Sequence, residues 1–120
     1  MNLLHHKTDE QVSDAIANLT DLKTNNTAVT VTDDKIIIKL HGNTIATIHH
    51  TNKSHITQAT FDTCDWHTQT TRNRLNATLD ALHRLNHAHE VKGFKIQKGV
   101  MYAVVNDELV SMATPLEYKW

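Results

Sequence analysis

The stretch Trp66-His67-Thr68-Gln69-Thr70-Thr71-Arg72-Asn73-Arg74-Leu75-Asn76 marks a change from strand to helix in this chain. Before it, apolar and polar residues alternate, which is typical of strands that are buried on one side. After it, leucines recur at helical spacing and predict a core-facing helix over residues 68–87. This stripe consists of Leu75, Leu79, Leu82 and either Leu85 or Asn86. Thr68 is the expected N-cap, because its hydroxyl can accept a hydrogen bond from a backbone N–H group of the first turn.

The sequence before this stretch predicts one helix followed by a meander of four strands. Thr8-Asp9-Glu10-Gln11 has the form of a capping box, and apolar residues at helical spacing predict a helix over residues 8–23. Short runs of alternating apolar residues, separated by polar turns such as Asp33-Asp34, predict the strands. The strands are expected near residues 29–31, 36–40, 44–49 and 55–60.

The sequence after the second helix predicts two or three further strands. Residues 94–97 and 100–105 form a hairpin around Lys98-Gly99, and a third segment follows over 109–112. The predicted order is therefore α-β-β-β-β-α-β-β-(β). We expect one α+β domain over residues 1–120, in which two helices pack against a mostly antiparallel sheet.

Composition limits the classes of function. The formal net charge is −1, so the chain as a whole has no electrostatic drive toward nucleic acid or anionic membrane. The charge is uneven, because residues 51–100 hold seven Lys or Arg against four Asp or Glu. No stretch approaches the roughly 18 apolar residues of a membrane span, so no membrane partner is expected. A single cysteine, Cys64, and the absence of an apolar leader predict a cytoplasmic setting.

Three strings in the sequence resemble small uncharacterised proteins of bacteriophages and prophages. They are Leu40-His41-Gly42-Asn43-Thr44-Ile45-Ala46, the stretch quoted above, and Phe94-Lys95-Ile96-Gln97-Lys98-Gly99-Val100-Met101-Tyr102. The resemblance implies a phage accessory product that acts in the host cytoplasm, and some such products of this size disable host defences such as CRISPR systems. Asp65 departs from the phage pattern, which usually has Gly before the Trp.

Two interpretations of the quoted stretch stay open. A helix N-terminus attracts anions, so Thr68 or Thr70 together with Arg72 can hold a phosphate. The same hydroxyls can instead serve only as helix caps. A two-residue step turns a helix by about 200°, which places Arg72 and Arg74 on different flanks. One polar ridge of the helix is expected to carry Arg72, Asn76, His83 and His87.

Candidate contact residues for a protein or a nucleic acid lie on the second helix and the late hairpin. They are Thr68, Thr70, Arg72, Arg74, Arg84, Lys95, Lys98 and Tyr102. Lysines beside an aromatic residue are typical of nucleic-acid surfaces, although lysines also protect sheet edges from aggregation. The apolar tail offers another contact, because it can dock a partner or a second copy of this chain, or close the core of its own domain. Its anchors are Leu116, Tyr118 and Trp120.

Patterns for catalysis are weak. His83 and His87 with Glu90 have a spacing that can bind zinc on one helix face, but ten histidines in the chain generate such spacings by chance. Cys64 is expected in a strand, with a buried thiol whose pKa the neighbouring carboxylates raise. We therefore expect no catalytic residue, no metal and no cofactor.

The sequence favours stoichiometric binding to a host protein or a protein–nucleic acid complex, in host defence or nucleic-acid machinery. Direct nucleic-acid binding is the alternative, and a homodimer is a further possibility for the partner. A metal-dependent nuclease built on the histidines is a third, weaker interpretation.

Overall fold

The computed structural model of the chain describes residues 3–4, 6–51 and 55–119. The helices are α1 (Lys7–Ala17) and α2 (Gln69–Arg84). The strands are β1 (Leu22–Lys23), β2 (Thr27–Val31), β3 (Lys35–Leu40), β4 (Asn43–Thr51), β5 (His55–Phe61), β6 (Val91–Gln97), β7 (Val100–Val105), β8 (Glu108–Ser111) and β9 (Leu116–Lys119). The predicted α+β class and the order of the main elements are confirmed. Within the described part of the chain, no helix is both long and apolar enough to cross a membrane.

The strands divide into two sheets, and every pairing between them is antiparallel. The larger sheet has the order β1-β2-β3-β4-β5-β9, which contains the expected meander. The smaller sheet is β6-β7-β8. The tail closes the larger sheet, because β9 pairs with β5 and places Leu116 and Tyr118 against the core. Trp120, the third expected anchor, lies outside the described residues.

Helix α2 occupies the centre of the molecule. Leu75, Leu79 and Leu82 are fully buried, as predicted, while Leu85 is the half-buried C-cap. Residues 73–79 are all buried, on every side of the helix. The helix contacts α1, β6, β3 and β4. The expected polar ridge is therefore wrong at Asn76, whose side-chain amide bonds the backbone of Phe94 in β6.

Helix α1 is shorter than the periodicity predicts. It ends at Ala17, and Leu19 takes a left-handed conformation with φ of 55°. The N–H of Thr20 then bonds the Ala15 carbonyl, which turns the chain toward the larger sheet. Leu22 therefore belongs to β1 instead of the helix. Leu19 and Leu22 continue the helical spacing of apolar residues, so the sequence pattern extends past Ala17, where the helix ends.

The first residue of α1 differs from the one that the capping-box pattern predicts. The helix begins at Lys7, and His6 holds the N-cap position in place of Thr8. The carboxylate of Asp9 accepts the backbone N–H of His6 at 3.0 Å. Its other oxygen accepts the Arg74 guanidinium at 2.6 Å, and both side chains are buried. Arg74 also donates to the Thr27 hydroxyl at 2.8 Å, so one guanidinium links α2 to α1 and β2.

We expect Asp9→Ala to lower the free energy of unfolding by about 3–5 kcal/mol, because it leaves Arg74 buried without its counter-charge. Asp14→Ala is the matched control, since Asp14 pairs with Arg84 at 2.8 Å but its side chain is 63% exposed. That change should cost at most about 1 kcal/mol. Urea denaturation of both variants measures the difference, and equal losses would contradict the central role of the buried pair.

Candidate functional site

Two of the three strings that resemble phage proteins meet at one pocket, at the corner where β5 leads into α2. The pocket has a volume of about 370 Å³, within the range of sites that hold a small ligand or a partner side chain. We call it the corner pocket. It is lined by Leu40, His41, Asn43, Ile45, Thr63, Trp66, Thr68, Thr70 and Thr71.

The wall formed by residues 63–66 depends on a tight turn. Cys64 and Asp65 both have positive φ, and the Trp66 N–H closes the turn on the Thr63 carbonyl at 2.9 Å. Asp62 supports the turn, because its carboxylate accepts the Cys64 N–H at 2.8 Å. The turn directs Trp66 outward, where it is 59% exposed. An exposed tryptophan beside a pocket is the residue type most often found at binding hot spots.

The expected cap at the start of α2 is confirmed. The Thr68 hydroxyl accepts the Thr71 N–H at 3.2 Å, and the two hydroxyls lie 3.0 Å apart. Thr68 is exposed and Thr70 is half-buried, and both line the corner pocket. The Thr68 hydroxyl therefore caps the helix and also contacts the Thr71 hydroxyl at the pocket wall.

Electrostatics at the corner do not favour an anion. None of the nine lining residues is a Lys, Arg, Asp or Glu, while two carboxylates flank the turn beside them. Burial, Asp62 and Asp65 together raise the pKa of the Cys64 thiol. The direction of this shift agrees with the expectation, but the prediction of a strand is wrong, because Cys64 lies in the turn. Its Sγ donates to the Thr44 carbonyl at 3.2 Å.

The three arginines of α2 have separate surroundings. Arg74 is 6% exposed and bonded to Asp9, which corrects its expected place on a contact surface. Arg84 bonds Asp14 and the Ser13 hydroxyl, and so links the two helices. Arg72 is half-buried and donates twice to the Asn73 side chain. The structure therefore does not assemble these arginines into one basic patch.

The late hairpin, β6–β7, brings two of its candidate contact residues side by side. Lys95 and Tyr102 are register partners in β6 and β7, so their side chains lie on the same face of the smaller sheet. Lys95 and Lys98 are exposed, and Lys98 occupies the turn with φ of 50°. This group stands apart from the corner pocket, because none of its residues lines that pocket.

The histidine face proposed for zinc is occupied by other contacts. His83 Nε2 lies 2.9 Å from the Val91 carbonyl and 3.2 Å from that of Ala88. Glu90 instead accepts a hydrogen bond from Tyr118, which lowers the pKa of Glu90 and raises that of Tyr118 to about 12. In the ranges that the structure describes, no three His, Cys, Asp or Glu side chains are grouped to hold a metal ion.

Sequence reasoning named Thr68 and Thr70 but missed Trp66, His41 and Asn43 as members of a site. These residues come from segments about 20 positions apart, and no periodicity connects a hairpin turn with a helix cap. The available indication was the resemblance itself, because its two upstream strings supply most of the lining.

Comparison with protein families gives the class of protein. The model of a phage family described as Kyanoviridae Gp96 protein matches residues 5–114. The chain therefore belongs to the Kyanoviridae Gp96 family, and its expected likeness to phage proteins is confirmed. No curated protein and no solved structure matches it significantly.

We expect Asp65→Asn to speed alkylation of Cys64 by iodoacetamide at neutral pH. The carboxylate raises the pKa of the thiol, so its removal increases the reactive thiolate fraction. The pH dependence of the alkylation rate measures the change, which should shift the midpoint downward. Asp107→Asn, in the remote β7–β8 turn, serves as the control and should leave the profile unchanged. A profile that is equal in both variants would contradict the acidic character of the corner.

Proposed function

We propose that this chain is a phage accessory protein that binds a host protein stoichiometrically, with the corner pocket as its main contact. The observation that carries the proposal is the exposed Trp66 beside a pocket whose lining has no Lys, Arg, Asp or Glu. Such a site suits an apolar or aromatic side chain of a protein partner. Phosphate groups are disfavoured there, because Asp62 and Asp65 flank the turn.

Membership of a phage family supports the proposal of a target in the host. A protein that binds by shape can block a much larger machine without chemistry of its own. We infer that its target belongs to host defence, such as a CRISPR system, or to nucleic-acid machinery in the host cytoplasm. The partner is then a host protein or a protein–nucleic acid complex.

Affinity capture from host lysate tests the contact. We expect Trp66→Ala to reduce capture of the bound host protein by at least about tenfold, as for a central hot-spot residue. Trp66→Phe should retain most of it, because an exposed aromatic ring still stands at the rim of the pocket. Thr30→Ala, an exposed change on β2, should have no effect. Equal capture by wild type and Trp66→Ala would reject the corner pocket as the contact.

A plaque assay tests the role in defence. Cells with an active CRISPR system directed against a phage should form more plaques when they express the wild-type chain. Expression of Trp66→Ala should give no increase. An equal increase with wild type and Trp66→Ala would show that inhibition does not use the corner pocket. No increase with either chain would reject a CRISPR system as the target.

Direct nucleic-acid binding remains the second candidate, because Lys95 and Tyr102 are paired on one exposed face. It predicts retention on single-stranded DNA or RNA that falls steeply with salt. Lys95→Ala should then weaken binding uniformly and reduce the salt slope by about one unit. We expect no retention even at low salt, because two of the three α2 arginines are already paired with carboxylates. Salt-dependent retention would favour the second candidate.

A further inference from the structure

The two edge strands of the smaller sheet, β6 and β8, differ in how their outward backbone groups are bonded. At the β6 edge, the Asn76 side chain accepts the Phe94 N–H at 2.7 Å and donates to the Phe94 carbonyl at 3.1 Å. The Asn76 side chain thus makes the two backbone hydrogen bonds that a neighbouring strand would make with Phe94. Exposed lysines along β6 protect this edge further.

The β8 edge has no comparable protection. All four residues of β8 are exposed, with Leu109 at 45% and Val110 at 36%. Together with Trp66, they are the exposed large hydrophobic residues of the described chain. The strand contains neither lysine nor proline, the residues with which natural edges usually block further pairing.

The hydrogen-bond alternation shows which backbone groups this edge presents. The Met112 N–H donates to the Met101 carbonyl, so this pair is a hydrogen-bonded one. Because such pairs alternate along an antiparallel ladder, Ala103 and Val110 form the next one. The N–H and C=O groups of Leu109 and Ser111 therefore point away from β7. A further strand can bond to them without disturbing the sheet.

The negative charge of this edge favours one kind of binding partner. Glu108 begins β8 and Asp107 precedes it in the β7–β8 turn, and residues 106–111 contain no basic side chain. Two copies paired through this edge would share four carboxylates and no basic side chain over residues 106–111, so their charges repel. We infer that β8 accepts an extended segment of a partner protein that alternates apolar and basic residues. This surface is distinct from the corner pocket, because no β8 residue lines that pocket.

An eight-residue peptide of alternating valine and lysine, with blocked ends, is the probe. We expect it to bind the full chain, and a peptide of alternating valine and glutamate not to bind. Leu109→Pro should weaken binding by about tenfold, because it removes an outward-facing N–H donor and the exposed leucine side chain without breaking a hydrogen bond to β7. Leu109→Ala keeps that donor and should weaken binding less. Glu108→Lys should reverse the preference between the two peptides.

Three results would overturn the inference. They are failure of the lysine peptide to bind wild type, equal binding by Leu109→Pro, and a wild-type dimer that Leu109→Pro dissociates. Should Leu109→Pro not fold, amide NMR shifts in wild type decide, since the peptide must perturb Leu109 and Ser111. Trp66→Ala should bind the peptide as wild type does, which separates this surface from the proposed function.

Discussion

The burial of α2 around its whole circumference is the constraint on which the rest of the structure depends. A helix with no exposed face along residues 73–79 must satisfy its polar side chains inside the protein. Arg74 does so through Asp9 and Thr27, and Asn76 does so through the backbone of Phe94. Arg74 therefore fixes α1 and the larger sheet against the helix, and Asn76 fixes the smaller sheet.

The corner pocket depends on the same helix. Its N-cap, Thr68, lies only six residues before Arg74, so the buried ion pair holds the first turn of α2 in position. The opposite wall comes from the β3–β4 turn at His41, in the larger sheet that Arg74 also contacts through Thr27. A rigid interior thus supports a site whose most exposed member, Trp66, stands on a short turn. This arrangement suits binding by preformed shape.

Local patterns predicted most elements correctly but misplaced both ends of α1. Alternation located β2 to β5, leucine spacing located α2, and a threonine before that helix located its cap. The same patterns failed where tertiary contacts decide. Helical spacing gives the angle of Arg74 and Asn76 but not their neighbours, and it cannot show that α1 covers one flank and β6 another. Three further features could not be predicted for the same reason, because each joins segments that are distant in sequence. They are the division into two sheets, the burial of Asp9 and the membership of Trp66 in a pocket.

Charge placement explains why the basic middle of the sequence does not become a basic surface. Arg74 pairs with Asp9 in the interior and Arg84 pairs with Asp14 at the surface, so the positive charge of α2 neutralises negative charge of α1. The exposed lysines of β6 then lie at an edge that Asn76 already closes. The two surfaces with exposed apolar residues, at Trp66 and at β8, instead have carboxylates beside them. Apolar contact surrounded by negative charge favours protein segments over a phosphate backbone, because the same carboxylates that attract lysine repel phosphate.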